Sequence, residues 1–284
     1  MTDPFTQAVQ DALWDALGTS PIPQSSPPSY VGAVRALAPR VAADSAAVQG
    51  AFAPAIAAYR DLVTAYPQSL DATAGLANTY VESGRNAEAA GFFDSIYAAA
   101  AVPPAVVIDA GRRILATGLL VAGTRVLSRG LNATPVGRDA LYDLALGYYR
   151  LGDSARTLPA AQRLVSVDPL NRASVRLIAA AWELKGRRDS VTKYRALADS
   201  GLGVDVTVTS FVPDSAGVAL SLTAANLRST ASKPLHLQVE FLDAKGAVLG
   251  AQTADIPAIP PGQSQQAQLH AATKGVVGWR YRAL

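Results

Sequence analysis

The sequence predicts a multidomain α + β protein, an α-solenoid of helical hairpins followed by a small antiparallel β-sandwich. Three observations carry this expectation. Gly84, Gly118, Gly152 and Gly186 recur 34 residues apart, with Gly50 one period earlier, and a period of about 34 marks helix-turn-helix units that bury their faces by stacking. A bulky residue stands four positions before each of the last four glycines: Tyr80, Ile114, Tyr148 and Trp182. After Ser200 the apolar period falls to two, the spacing of half-buried strands.

Composition bounds the rest. Half of the 284 residues are hydrophobic and 17% are charged, enough to bury a sizeable core in about two domains. A net charge of +3 gives no basic face of the kind nucleic acid requires, so nucleic acid is not an expected partner. The absence of cysteine removes disulfides, thiolate chemistry and cysteine-ligated zinc. No apolar run is long enough for a transmembrane helix, and no direct membrane insertion is expected. The N-terminus has neither a basic stretch nor a continuous apolar core, so it does not read as a secretion signal. That leaves the cytoplasm, or an envelope compartment reached through a leader removed or lying upstream.

Taken in order, residues 1–18 hold an amphipathic helix over 3–17. Asp3 can cap it, Pro4 suits its first position and Gly18 its end. Phe5, Val9, Leu13 and Leu17, with Trp14 alongside, form an apolar stripe that packs on the first repeat as a cap or docks on a partner protein. The opposite face carries Asp3, Gln7, Asp11 and Asp15, which an anionic membrane surface repels. Residues 19–30, with Pro21, Pro23, Pro27 and Pro28, read as an extended linker.

Residues 31–200 form the solenoid, four to five repeats, with helices expected near 30–43, 51–66, 70–83, 86–100, 104–117, 119–132, 138–151, 154–167, 172–185 and 188–200. Each phased glycine falls in a turn, where backbone must leave helical angles without steric cost. Pro67, Pro135 and Pro169 follow the second helix of their repeats, where proline stops a helix. The first repeat is poorly patterned, with Pro39 inside its first helix. The frame also weakens at Gly123, which replaces a small alanine. Residues 201–284 form the sandwich. Val204, Val206 and Val208 alternate with polar residues, as do Val218, Leu220 and Leu222, then Leu235, Leu237, Val239 and Phe241. Further strands are expected at 247–254, 264–271 and 276–282. Trp279 and Tyr281 share a face and read as core. Gly201-Leu202-Gly203 lacks a third glycine and opens a strand, so it reads as a hinge, not a dinucleotide loop.

Segments 70–103 (Leu76, Ala77, Tyr80, Gly84, Ala89, Phe93) and 138–171 (Leu141, Leu144, Ala145, Tyr148, Gly152, Leu164, Pro169) resemble tetratricopeptide repeats. The resemblance implies that the first helix of each repeat lines a concave groove through its fifth, ninth, twelfth and thirteenth positions. Those positions nominate Arg112, Tyr142, Tyr149, Arg150 and Arg176, with Leu115 among their neighbours. Aromatic residues beside arginine are typical of binding hot spots, and arginine can grip carboxylates with two hydrogen bonds. The run from Leu237 to Gly262 is similar to small FxLYD-type sandwich domains of bacterial envelope proteins, although Leu242 replaces their tyrosine.

No catalytic constellation emerges. His236 and His270 fall on outward strand positions, and no G-x-S-x-G or phosphate loop is present. No enzyme activity, cofactor or metal is expected. The two resemblances together imply a non-catalytic protein–protein interaction scaffold or accessory subunit on the periplasmic side of a bacterial envelope. Its partners would be other protein subunits, including the extramembrane face of a membrane complex. The alternative is a cytoplasmic peptide-binding adaptor or co-chaperone.

Overall fold

The computed structural model describes residues 37–99, 101–135, 137–213 and 217–284. The expected N-terminal helix with Phe5, Val9, Leu13, Trp14 and Leu17, and the linker at 19–30, lie outside the described residues. Ten α-helices pair into five hairpins among the described residues: α1 (Leu37–Val48) with α2 (Phe52–Ala65), α3 (Leu70–Glu82) with α4 (Asn86–Tyr97), α5 (Pro104–Ala116) with α6 (Leu120–Ala133), α7 (Arg138–Arg150) with α8 (Ser154–Val167), and α9 (Arg172–Leu184) with α10 (Arg188–Ala196). Six strands follow: β1 (Val204–Pro213), β2 (Val218–Asn226), β3 (Leu235–Leu242), β4 (Val248–Ile256), β5 (Ser264–Ala271) and β6 (Gly278–Ala283). The chain packs as two compact units that meet in sequence between Arg129 and Gly130.

The phased glycines and the bulky residues before them form one device. Gly84, Gly118, Gly152 and Gly186 all have φ between 67° and 94°, a region open to glycine at little cost. At three of these turns the glycine N–H bonds the carbonyl three residues back, and the next N–H bonds the carbonyl of Tyr80, Tyr148 or Trp182. These are Schellman caps. An added Cβ at these glycines would meet nothing within 4 Å, so the backbone angle alone demands glycine there.

One sequence expectation is corrected at α1. The helix runs Leu37–Val48, extending past the expected end at residue 43. Pro39 lies within this helix as described.

In the unit ending at Arg129, Tyr59, Leu76, Tyr80, Phe93, Tyr97 and Ile114 are all buried. Their polar tips are satisfied, as burial requires. Tyr97 and Thr73 share a 2.6 Å hydrogen bond, Arg60 Nε donates to Tyr80 over 2.6 Å, and the Tyr59 hydroxyl bonds Asp44. The α5–α6 hairpin holds the second correction. Gly123 is not a weak point of the frame: a Cβ there would lie 2.6 Å from Leu115 Cγ and 2.7 Å from Leu115 N. Gly111 is as close, its Cβ falling 2.5 Å from Leu127 N. The two glycines let these helices approach until their backbones touch.

In the unit beginning at Gly130, helices α7 to α10 carry two three-stranded antiparallel sheets, ordered β1-β2-β5 and β4-β3-β6. Buried residues alternate along β2 without a break, from Val218 to Asn226. Leu237, Val239 and Phe241 from β3 and Trp279 and Tyr281 from β6 complete the core. The Trp279 and Tyr281 rings stack with centroids 6.0 Å apart. His236 is outward, as expected, and bonds Asp255 over 2.6 Å.

The expected hinge is braced by the turn between α8 and α9. Asp168, 1% exposed, accepts from Tyr281 Oη at 2.6 Å and from Arg138 Nε at 2.7 Å. Asn171 donates to the Val206 carbonyl over 3.1 Å, and Val206 N donates to Leu170 O over 3.1 Å. Asp205 accepts from Arg172 N at 2.9 Å. The last two hairpins and the sheets are thereby held by hydrogen bonds from both sheets, and the joint is not free to swing as a bare linker would.

Candidate protein-binding cleft

Within this second unit the first helices α7 and α9 run side by side and leave a cleft of about 510 Å³. Tyr142, Leu146 and Tyr149 line it from α7, at the three- and four-residue spacing that puts side chains on one helix face. Arg172, Arg176 and Ala180 face them from α9. Asp205, projected from β1, adds a carboxylate.

Local chemistry explains why α9 starts where it does. Asn171 caps it by accepting from the Ala173 and Ser174 amides at 3.1 and 3.2 Å, and Asp205 accepts from the Arg172 amide. Three of the four free amide donors of the first turn are thus satisfied, one of them by the β domain. This double cap fixes Arg172 and, one turn later, Arg176. Both guanidinium groups reach Asp199, at 3.5 and 3.0 Å, and the hydrogen bond from Arg176 holds the Asp199 carboxyl below its usual range. The pairs are solvent-exposed and worth little to stability. A ligand carboxylate can therefore compete with Asp199 for Arg176 at small cost.

Behind the cleft wall, burial pushes the Asp168 carboxyl up, while hydrogen bonds from Tyr281 and Arg138 pull it down less strongly. Burial lowers the basicity of Arg138, but the facing carboxylates of Asp168 and Asp139 outweigh that and hold it above its ordinary value. The Arg138 guanidinium also lies 5.1 Å from the Tyr142 ring centroid, a cation–π contact that ties the cleft to the buried network.

Of the residues nominated from the sequence, Tyr142, Tyr149 and Arg176 come together in this cleft. Arg150 is exposed at the last position of α7, one turn beyond Leu146 and outside the cleft lining. Arg112 is exposed on α5 in the other unit. Leu115 is buried against Gly123 instead of facing a groove. The sequence reading missed Arg172 and Asp205. An N-cap signal at Asn171 was available to place Arg172 at the helix start, but nothing local in the sequence brings Asp205 to α9.

The fold and cleft define a class of helical-repeat proteins that present a surface to other macromolecules. Two models of the tetratricopeptide repeat match the chain, over residues 46–107 and 139–171. Among solved structures, a crystal structure of MamA protein is 24% identical, covering 57% of this chain and 89% of that one, with a TM-score of 0.37. A second MamA structure is 18% identical, covering 60% and 97%, with a TM-score of 0.37. YrrB, described as a tetratricopeptide-repeat protein with an unusual peptide-binding site, is 16% identical, covering 56% and 85%, with a TM-score of 0.35. No curated protein sequence matches the chain.

Proposed function

We propose that this protein is a non-catalytic scaffold that binds a protein partner in the cleft between α7 and α9. The observation that carries the reading is the composition of that cleft: two tyrosines and an aliphatic wall opposite two arginines, closed by Asp205. Rigid aromatic area beside arginine is what interface hot spots contain. The ligand that fits is a peptide segment with a large apolar side chain for the tyrosine wall and a carboxylate for Arg176. An accessory subunit on the periplasmic side of a bacterial envelope, contacting the extramembrane face of a membrane complex, is the assembly we favour. That location rests on the similarity of residues 237–262 to envelope sandwich domains.

Purification of the tagged chain from its own cells under gentle detergent tests the reading, and absence of any stoichiometric protein partner rejects it. Cell fractionation tests the location, and recovery in the cytosol alone rejects the envelope assignment. With the partner in hand, Tyr149→Ala combined with Arg176→Ala is expected to weaken binding by about 2–4 kcal/mol, at least roughly 30-fold. The melting temperature is expected to stay within about 2 °C, because Arg176 is exposed and Tyr149 is only half-buried in the cleft lining. Tyr142 is avoided in this test because its ring also packs under Arg138. An unchanged affinity means that the partner binds elsewhere.

A further inference from the structure

Charge is concentrated at the last helical hairpin of the second unit. Between Glu183 and Arg195 stand five basic and two acidic residues, a net +3 equal to that of the whole chain. Lys185 and Arg187 flank Gly186 in the turn between α9 and α10, and Arg188, Lys193 and Arg195 follow on α10. All five cations are exposed. Arg195 has a carboxylate partner in Glu183, at 2.8 Å; Lys185, Arg187, Arg188 and Lys193 form no ion pair among the described residues. Arg187 stands at the N-cap of α10 without a side-chain capping bond, and Arg188 is the first residue of the helix. That is the positive end of the helix dipole, where acidic residues are favourable and cations cost stability. The fold alone gives no reason to gather arginines there.

We propose that this end of the hairpin is an electrostatic docking surface for an anionic lipid bilayer, held by Lys185, Arg187, Arg188 and Lys193. Three observations favour that occupant. Opposite charge supplies the attraction, and unpaired cations clustered at a helix are what hold a protein to anionic headgroups. A protein partner would need an apolar or aromatic centre that excludes water, yet none of the large exposed apolar side chains among the described residues lies between Glu183 and Arg195. Nucleic acid would need a longer basic track, of about six to ten phosphate contacts, and outside this segment the basic and acidic residues of the chain balance. Contact stays at the level of the headgroups, since Leu184, Val191 and Tyr194 are half-buried and no described helix is long and apolar enough to cross a membrane. The cleft lining ends on α9 at Ala180, so the peptide cleft and the lipid-facing turn are separate surfaces.

Co-sedimentation of the full chain with lipid vesicles tests the proposal. Binding is expected to vesicles that contain phosphatidylglycerol and not to pure phosphatidylcholine, and it should fall as salt is raised, because exposed charges are screened. Each cation at the surface strengthens such partition roughly five-fold, so Lys185→Gln, Arg187→Gln and Arg188→Gln together should weaken it by about 100-fold. A control removes three cations elsewhere in the same unit, Lys233→Gln, Lys245→Gln and Lys274→Gln, all of them exposed, and should bind as the parent does. Both triple variants lose the same net charge, so equal losses show attraction to the overall charge and overturn the proposal. Absence of binding to the anionic vesicles overturns it as well. So does retention on immobilised poly-glutamate or duplex DNA without vesicle binding, which points to an acidic protein or a nucleic acid. The turn substitutions relieve repulsion at the start of α10, so the melting temperature is expected to hold or rise, and the vesicle result for the unaltered chain depends on no variant.

Discussion

Replacing Asp168 with alanine is expected to destabilise the unit spanning Gly130 to Leu284 by about 3–5 kcal/mol. The carboxylate is 1% exposed, and it answers Arg138, Tyr281 and Ser174 at once. Its removal leaves a partly buried guanidinium and a buried phenol hydroxyl without their acceptor. The cost of such orphaned groups exceeds what the intact pair contributes. For a unit of this size the shift in melting temperature is about 10 °C. Tyr281→Phe keeps the ring stack on Trp279 and loses only the hydroxyl, so a smaller cost of about 1.5–3 kcal/mol is expected, as for hydrogen bonds to charged groups. Asp139→Ala removes another partner of the same arginine, and because the Asp139 side chain is 67% exposed the change should cost no more than about 0.5 kcal/mol. Calorimetry of the three variants checks this order. Equal effects of Asp168→Ala and Asp139→Ala would show that the buried network does not hold the sheets to the helices.

The second large effect lies in the α5–α6 hairpin. A helix-interior glycine replaced by alanine ordinarily gains up to about 1 kcal/mol. Gly111→Ala is expected to do the reverse, with a net loss of about 2 kcal/mol. The added methyl would stand 2.5 Å from Leu127 N and 2.7 Å from Leu127 Cα. These are backbone atoms, so no rotamer change relieves the clash and the helices must separate. Urea denaturation measures the sign directly. A neutral or stabilising shift would mean that the hairpin is looser than its geometry.

The helical architecture was legible because its determinants are local. A Schellman cap needs a glycine and the residues a turn before it, so a 34-residue spacing of glycines, the last four with a bulky residue four positions earlier, writes four to five hairpins into the sequence. The strands were legible for the same reason, since alternation is a property of neighbouring residues. Gly123 shows the limit of that reading. As a letter it breaks the repeat pattern, and only the distance between two helices shows that the pattern there has been exchanged for closer packing.

The cleft was half legible. Tyr142, Tyr149 and Arg176 follow from the repeat frame, because helical spacing puts them on one face. Arg112 and Arg150 follow from the same frame yet stand outside the cleft, since a frame position says which way a side chain leaves its helix and not what faces it. Asp205 and Tyr281 had no local signal. The Tyr281–Asp168 bond joins residues 113 apart, and both ends look ordinary where they stand, a core aromatic on a strand and an acidic residue after a helix. The sequence by itself determined the hairpins, the strands and the order in which they occur, because each is encoded within a few turns of chain. Tertiary structure alone decided that the β domain caps α9 and braces the cleft beside it, because hydrogen bonds between buried groups depend on which distant surfaces come together.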